Sequence, residues 1–247
     1  MYSDAHFHLS ERMKKILETN PLSGIISCTT PKECIEAEAF LSKHPSYAIS
    51  CGIHPWKCDT ITWKEMLPFL EKAQIIGEIG MDNVWCKKDI DIQKNIFEKQ
   101  LQFAMQHKKT VVLHTKGMEK EILECIRLYP NTYHVHWYSC MEYIEEYRDL
   151  DCYFSIGPFP SIDKSVQKVC QLVPCDRLLI ESDGIDAISW AIHRNIQDDE
   201  YLSSLYTIAK QIGDIKKKTA EEILEITYHN LQRFLTPVSY THLTLPT

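Results

Sequence analysis

Near the start of the chain stands a histidine pair with one residue between, Asp4-Ala5-His6-Phe7-His8. Tyr2 to His6 is readable only as a short extended run. Residues two apart on a strand project to the same side. His6 and His8 can therefore aim both imidazoles at one point, as metal ligands would. Two structural histidines would have the same spacing, so the pair needs support from the rest of the chain. That support is sought in His54, Glu78, His114, His136 and Asp183. Neutral imidazole and carboxylate bind Zn²⁺, Mn²⁺ or Mg²⁺, and no cysteine belongs to the set. His6, His8, Glu78, His114, His136 and Asp183 are too many ligands for one tetrahedral ion with an open position. They suit two divalent metal ions about 3.5–4 Å apart, bridged by a carboxylate and a water. Glu78 is the expected bridge. Asp183 is expected to bind one ion and to accept a proton from the attacking water, which makes Glu78 and Asp183 the catalytic pair. His114 and His136 would complete the second ion's shell, and Asp4 would orient a histidine from behind.

The elements that must position these residues alternate from end to end. Strands are expected at Tyr2–His6, Gly24–Thr29, Tyr47–His54, Ile75–Gly80, Thr110–His114, Tyr133–Trp137, Cys152–Ile156 and Arg177–Glu181. Helices are expected at Glu11–Glu18, Thr30–Leu41, Trp63–Lys72, Ile92–His107, Glu119–Tyr129, Asp199–Gly213 and Thr219–Phe234. Pro31 suits a first helical turn, and Thr219-Ala220-Glu221-Glu222 reads as a capping box. The near-continuous apolar run Thr110-Val111-Val112-Leu113 resembles a strand buried on both faces. Eight strands with helices between them point to an α/β fold, a single (β/α)8 TIM-like barrel, with a doubly wound open sheet as competitor. Barrel enzymes place their chemistry at the C-terminal ends of the strands. His6, His8, His54, Glu78, His114, His136 and Asp183 all fall there in this reading. Any one of them alone could be a buried histidine or a helix-capping carboxylate; it is their joint placement that indicates a site.

Composition narrows the class. The chain has 247 residues, 44% apolar and 25% charged, with a net charge of -7. That length suits one barrel domain over residues 1–235. No apolar run reaches the ~20 residues of a membrane span. The start lacks the basic-then-apolar pattern of a secretion signal, and the ten cysteines form no Cys-x-x-Cys pairs. A cytoplasmic protein with buried, reduced thiols is expected. The acidic balance argues against a protein that holds duplex DNA through many phosphate contacts. Residues 236–247, rich in Ser, Thr, Leu and Pro, are expected to be a disordered or non-native tail.

An ordered set of motifs sharpens the reading: His6-Phe7-His8, Gly52-Ile53-His54-Pro55, Gly77-Glu78-Ile79-Gly80-Met81-Asp82, Gln93-x3-Phe97-x2-Gln100-Leu101, Val112-Leu113-His114, His136-Trp137-Tyr138-Ser139, Glu181-Ser182-Asp183 and Asn230-Leu231-Gln232-Arg233-Phe234. Over residues 1 to about 235 the chain closely resembles the TatD family of metal-dependent hydrolases, in the wider amidohydrolase-type barrel group. The resemblance implies a TIM-like barrel, two divalent ions and DNase or 3′→5′ exonuclease action on phosphodiesters. It maps the metal ligands onto His6, His8, Glu78, His114, His136 and Asp183. Four positions depart from the family pattern. Trp56 and Lys116 stand where many members have His and Arg, Cys140 where a Gly is frequent, and Gly184 where a Pro often follows the aspartate.

The expected partner is DNA, single-stranded or at 3′ ends, with His54 and Lys116 meeting the phosphate. Lysine meets it as a point charge, without arginine's fork. Trp56, Trp85, Trp137 and Tyr138 are candidates for stacking on an end nucleotide, with core packing as the alternative for each. The competing readings are a metal-dependent hydrolase of a small amide, ester or phosphoester, and a non-catalytic binding protein that has kept the barrel.

Overall fold

A computed structural model describes residues 1–236. Eight strands follow one another in the sheet in sequence order, each parallel to the next. They are β1 (Ser3–His8), β2 (Ser23–Cys28), β3 (Tyr47–Cys51), β4 (Ile75–Asp82), β5 (Thr110–Lys116), β6 (Tyr133–Val135), β7 (Tyr153–Ile156) and β8 (Leu178–Ile180). The helices are α1 (Glu11–Thr19), α2 (Pro31–Leu41), α3 (Trp63–Lys72), α4 (Ile90–Gln106), α5 (Glu119–Leu128), α6 (Ile144–Asp149), α7 (Lys164–Leu172), α8 (Ile185–Ala191), α9 (Tyr201–Lys216) and α10 (Ala220–Leu235). This is the α/β barrel expected, nearly closed, and not the open sheet. The expected tail falls, from residue 237 onward, outside the described residues.

Side-chain hydrogen bonds start several helices as the sequence suggests. Ser10 and Thr30 accept from backbone amides three residues on, and Thr62 with Glu65 and Thr219 with Glu222 form capping boxes. Two apolar layers result. A large one fills the space between strands and helices. A small one inside the barrel holds Ala5, Ile25, Ile75, Val112, Tyr153 and Leu179, closed from the N-terminal end by Leu231 and Phe234 of α10. With that end plugged by apolar side chains, the other end is free for polar ones.

The seam between β8 and β1 is drawn together largely by one side chain. Asp4 Oδ1 accepts from the Ser182 amide at 3.0 Å and the His6 amide at 3.3 Å, and Oδ2 accepts from the Ser182 and Tyr201 hydroxyls. The Asp183 amide adds a bond to the His6 carbonyl at 3.0 Å. Asp4 therefore does not orient an imidazole, as was expected, but ties β1 to the segment after β8. Burial pushes its carboxyl up to about 7, against the pull of these donors.

Several expected bounds shift. β3 stops at Cys51, so His54 lies past the strand, at the start of a 3₁₀ turn over Pro55–Lys57. His136 follows β6 directly and is not part of it, and β4 continues to Asp82. The short helices α6, α7 and α8 were not expected. All ten cysteines are free thiols, seven of them buried. No helix among the described residues is long and apolar enough to cross a membrane.

Candidate active site

The end of the barrel opposite the α10 plug carries a cavity of about 630 Å³. His8, His54, Glu78, His114, His136 and Asp183 line it, and His6 lies fully buried beside them. All six expected metal ligands and both expected substrate-binding residues, His54 and Lys116, are thus gathered in one place.

Two breaks in strand periodicity put them there. Ala5 belongs to the inner apolar layer, so strict alternation would turn His6 outward. The register of β1 against β2 shifts between Asp4 and Phe7, and His6 faces the site together with His8. On β4, Ile76 and Ile79 both pack outward although they are three residues apart; the register shifts between them and Glu78 points inward. Gly80 lets β5 come close: a Cβ there would lie 1.9 Å from the His114 carbonyl oxygen. Asp183 sits just past β8 in the left-handed region, with φ 58°.

Glu78 is the centre of the geometry. Its Oε2 lies 3.4 Å from His6 Nε2 and 3.7 Å from His8 Nε2, and Asp183 Oδ1 lies 3.5 and 3.7 Å from the same two nitrogens. Donor atoms around one ion at 2.0–2.2 Å stand about 3.3–3.6 Å apart in a tetrahedron. The four separations between these imidazoles and carboxylates are close to that spacing. Among the described residues, both His6 nitrogens and Asp183 Oδ1 are buried without a hydrogen-bond partner, which a polar atom tolerates badly unless something else fills its valence. The other carboxylate oxygen, Oε1, faces a different group: His114 Nδ1 at 2.6 Å, His136 Nε2 at 3.0 Å and His54 Nε2 at 3.4 Å. The residues present fit divalent-metal binding. Ligand atoms of His6, His8 and Asp183, of His54, Glu78 and His114, and of His6, His136 and Glu181 each lie within 4.8 Å of one another.

Which nitrogen of each ring is free follows from what the other one does. His114 Nε2 lies 3.1 Å from Asp82 Oδ2, leaving Nδ1 toward Glu78. His136 Nδ1 lies 3.2 Å from Glu181 Oε2, leaving Nε2 toward Glu78. Each of the two rings is thus backed by a carboxylate, the arrangement that fixes a ligating imidazole. His54 is different. Its Nδ1 accepts from the Trp56 amide at 3.1 Å, so the neutral ring carries its proton on Nε2 and is a donor toward the cavity.

Charge follows position. Burial would raise the Glu78 carboxyl, but His136, His54 and the hydrogen bonds from His114 and His136 hold it well below the ordinary range. Burial would lower His136, but Glu78 and Glu181 hold it well above the usual imidazole value, and Asp82 and Glu78 raise His114 in the same way. Burial dominates at His54 and takes it down to about 4, so it is neutral at pH 7. Without an ion, the proton on His114 Nδ1 occupies the direction a cation would take.

Sequence reasoning passed over Asp82, Glu181 and Ser155. The first two stood inside quoted motifs but were given no role. Asp82 Oδ1 accepts from the amides of Val84, Trp85 and Cys86, and Oδ2 from the Trp56 indole at 2.7 Å. Trp56, in place of the frequent histidine, is thus tied to the carboxylate that backs His114. Ser155 Oγ donates to Glu181 Oε2 at 2.8 Å. Of the four aromatic candidates, Tyr138 takes the core-packing alternative: it is 1% exposed, donates to the Glu142 carbonyl and packs on Tyr147 and Phe154. Lys116 donates to Ser139 Oγ at 2.6 Å and lies 4.5 Å over the Trp85 ring, at the cavity wall.

Known proteins share this architecture. The structure of YjjV, a TatD homolog from Escherichia coli, superposes with a TM-score of 0.80 at 17% identity, covering 95% of this chain and 97% of that one. By sequence the chain is 28% identical over 183 residues to the uncharacterized metal-dependent hydrolase YabD of Bacillus subtilis, spanning 71% of this chain and 70% of the relative. It is 27% identical over 122 residues to the human 3′-5′ RNA nuclease TATDN2, covering 46% of this chain but 16% of that protein. The family model described as TatD related DNase matches residues 3–236, and the chain belongs to that family.

Proposed function

We propose that the chain is a divalent-metal-dependent phosphodiesterase, a deoxyribonuclease that removes nucleotides from DNA ends in the 3′→5′ direction. The observation that carries this is Glu78, whose two oxygens face two separate groups of imidazoles, as a carboxylate shared by two ions would. One relative's name, a metal-dependent hydrolase, supports the coarser part; another, matched over 46% of this chain, is a 3′-5′ nuclease of RNA and favours the polarity.

In this reading His6, His8, Glu78 and Asp183 would hold one ion, and Glu78, His114 and His136 would hold the other. Bound there, the ions would polarise a phosphoryl oxygen and lower the pKa of a water. The chain's own groups do the rest. Asp183 is partly exposed to the cavity; with Oδ1 turned to the ion's side, its other carboxylate oxygen takes the proton of the attacking water. His54 donates a hydrogen bond from its Nε2–H to a phosphate oxygen. Lys116, steadied by Ser139, meets the charge that develops there.

The test is cleavage of a 5′-labelled single-stranded DNA oligonucleotide with Mg²⁺ or Mn²⁺, comparing the wild type with Asp183→Asn. A ladder of shortening products, absent with chelator and in the variant, is expected. An active Asp183→Asn enzyme would refute the assigned role. A second reading, hydrolysis of a small amide, ester or phosphoester, rests on the tryptophan-rich cavity wall and on Lys116 in place of arginine. Folded, metal-loaded protein that leaves DNA intact but turns over such substrates would favour it.

A further inference from the structure

Four of the chain's five tryptophans line the mouth of this one cavity. Trp56 is fixed by Asp82. The other three form a wall. Trp190, on α8, meets Trp85 at 6.3 Å between ring centroids and 88° between planes, and Trp137 at 6.4 Å and 73°. Trp85 is 52% and Trp190 63% exposed, a large apolar area to leave in water beside a polar floor. Trp137 is held at a backbone cost: its φ is 35°, in a region bulky side chains rarely adopt. Its indole lies against Gly157, where a Cβ would be 2.6 Å from the ring. Lys116 joins the wall to the phosphate-facing side, with its ammonium over Trp85.

We infer that Trp85, Trp137 and Trp190 form a subsite for one unstacked nucleobase, and that this subsite sets which ends are cut. The inference rests on the phosphodiesterase reading. Its occupant must be planar and apolar on its faces to use three indoles, and must carry an anion to reach Lys116 and the carboxylate-imidazole floor. A terminal nucleotide has both parts in the right order. Since any base offers a face for stacking, the subsite selects for the presence of a base and not for its identity.

The experiment compares two oligonucleotides that differ only at the 3′ residue, one with thymine and one abasic, cleaved by the Mn²⁺-loaded enzyme. The wild type is expected to prefer the base-bearing end in kcat/KM, within the roughly five- to hundredfold range of a single stacking contact. Trp190→Ala and Trp85→Ala should remove most of that preference, and Trp190→Phe should restore much of it. A wild type indifferent to the missing base, or a preference that survives both alanine variants, overturns the subsite. Binding is read separately by the quenching of tryptophan fluorescence with thymidine 5′-monophosphate. If neither oligonucleotide is cut, the phosphodiesterase reading has failed and this titration still decides: saturable quenching lost in Trp190→Ala supports the subsite, and no saturable quenching overturns it.

Discussion

Asp82→Asn changes one atom and should cost the site its hold on an ion. The carboxylate uses its two oxygens differently: Oδ1 takes three backbone amides at 2.8, 2.9 and 3.3 Å, and Oδ2 takes the Trp56 indole at 2.7 Å and His114 Nε2 at 3.1 Å. An asparagine keeps its carbonyl oxygen on the three amides, because the flipped rotamer would break all three bonds. Its NH₂ then faces two N–H donors. His114 can relieve its share by giving up its Nε2 proton and keeping the one on Nδ1, the nitrogen 2.6 Å from Glu78 and the one with which it would bind an ion. Loss of a carboxylate behind a ligating histidine weakens metal binding about 10- to 100-fold, or roughly 1.4–2.7 kcal/mol. The assay is Mn²⁺ binding at pH 7.5 by competition with a chromophoric chelator, with melting in excess chelator to report any loss of fold stability separately. Trp56→Phe serves as comparison: it removes one donor from Asp82 but leaves His114 its acceptor, and should weaken binding no more than about threefold, half a typical hydrogen bond. An Asp82→Asn protein that binds every ion as the wild type does would refute the backing role.

Other measurements reach different parts of the structure. His54 is buried with a folded-state pKa of about 4, below the 6.5 of an unfolded chain, so the unfolded state takes up the proton first as pH falls. Its contribution to the stability of chelated protein is full above pH 6.5 and lost toward pH 4, about 3 kcal/mol by 2.5 units of pKa difference. Denaturant midpoints of wild type and His54→Asn across that window should diverge accordingly; parallel curves would rule this out. Tyr201→Phe removes a buried donor from Asp4 at the β1–β8 seam and should destabilise by about 1–3 kcal/mol, whereas Tyr206→Phe, at an exposed contact to Glu221, should be near neutral. Equal melting temperatures for the two variants would remove Asp4 as the tie. Salt dependence of oligonucleotide KM should be shallow. Among the described residues Lys57 and Lys116 are the only lysines or arginines lining the cavity, so the slope of log affinity on log salt should be about −1.4 for a single strand, and a slope beyond about −4 would mean contacts elsewhere.

Much of the barrel is legible in the sequence because its strands are short apolar runs between capped helices, and the cap residues are local. The hidden parts are those decided by contacts far along the chain. α6 has six residues and α8 seven, too few turns for a periodic pattern to stand out, and with α8 went Trp190. α7 was readable in principle: Val166, Val169, Cys170 and Val173 recur at helical spacing. Asp82 and Glu181 were visible as residues, but what they do depends on His114 and His136, 32 and 45 positions away.

The site itself depends on a departure from the rule used to find it. Alternation along β1 predicts that His6 and His8 share a side, which they do, yet the same alternation would bury them outside the barrel once Ala5 is fixed inside. On β4 the mismatch is the same, with Ile76 and Ile79 both outward and Glu78 brought in between. A strand of unbroken period would have to give up either its inner apolar residue or its ligand. The register shifts let β1 and β4 keep both, packing apolar residues at the plugged end while turning imidazole and carboxylate toward the open one. Deleting Ala5 should therefore straighten β1 with His6 and His8 still turned inward, giving up the inner apolar residue, and deleting Gly77 should likewise straighten β4 with Glu78 still inward; melting in excess chelator would report the lost packing. Each shift is the place where a strand keeps both its inner apolar residue and its ligand, so these irregular segments, and not the regular ones, are where the fold and the chemistry constrain each other.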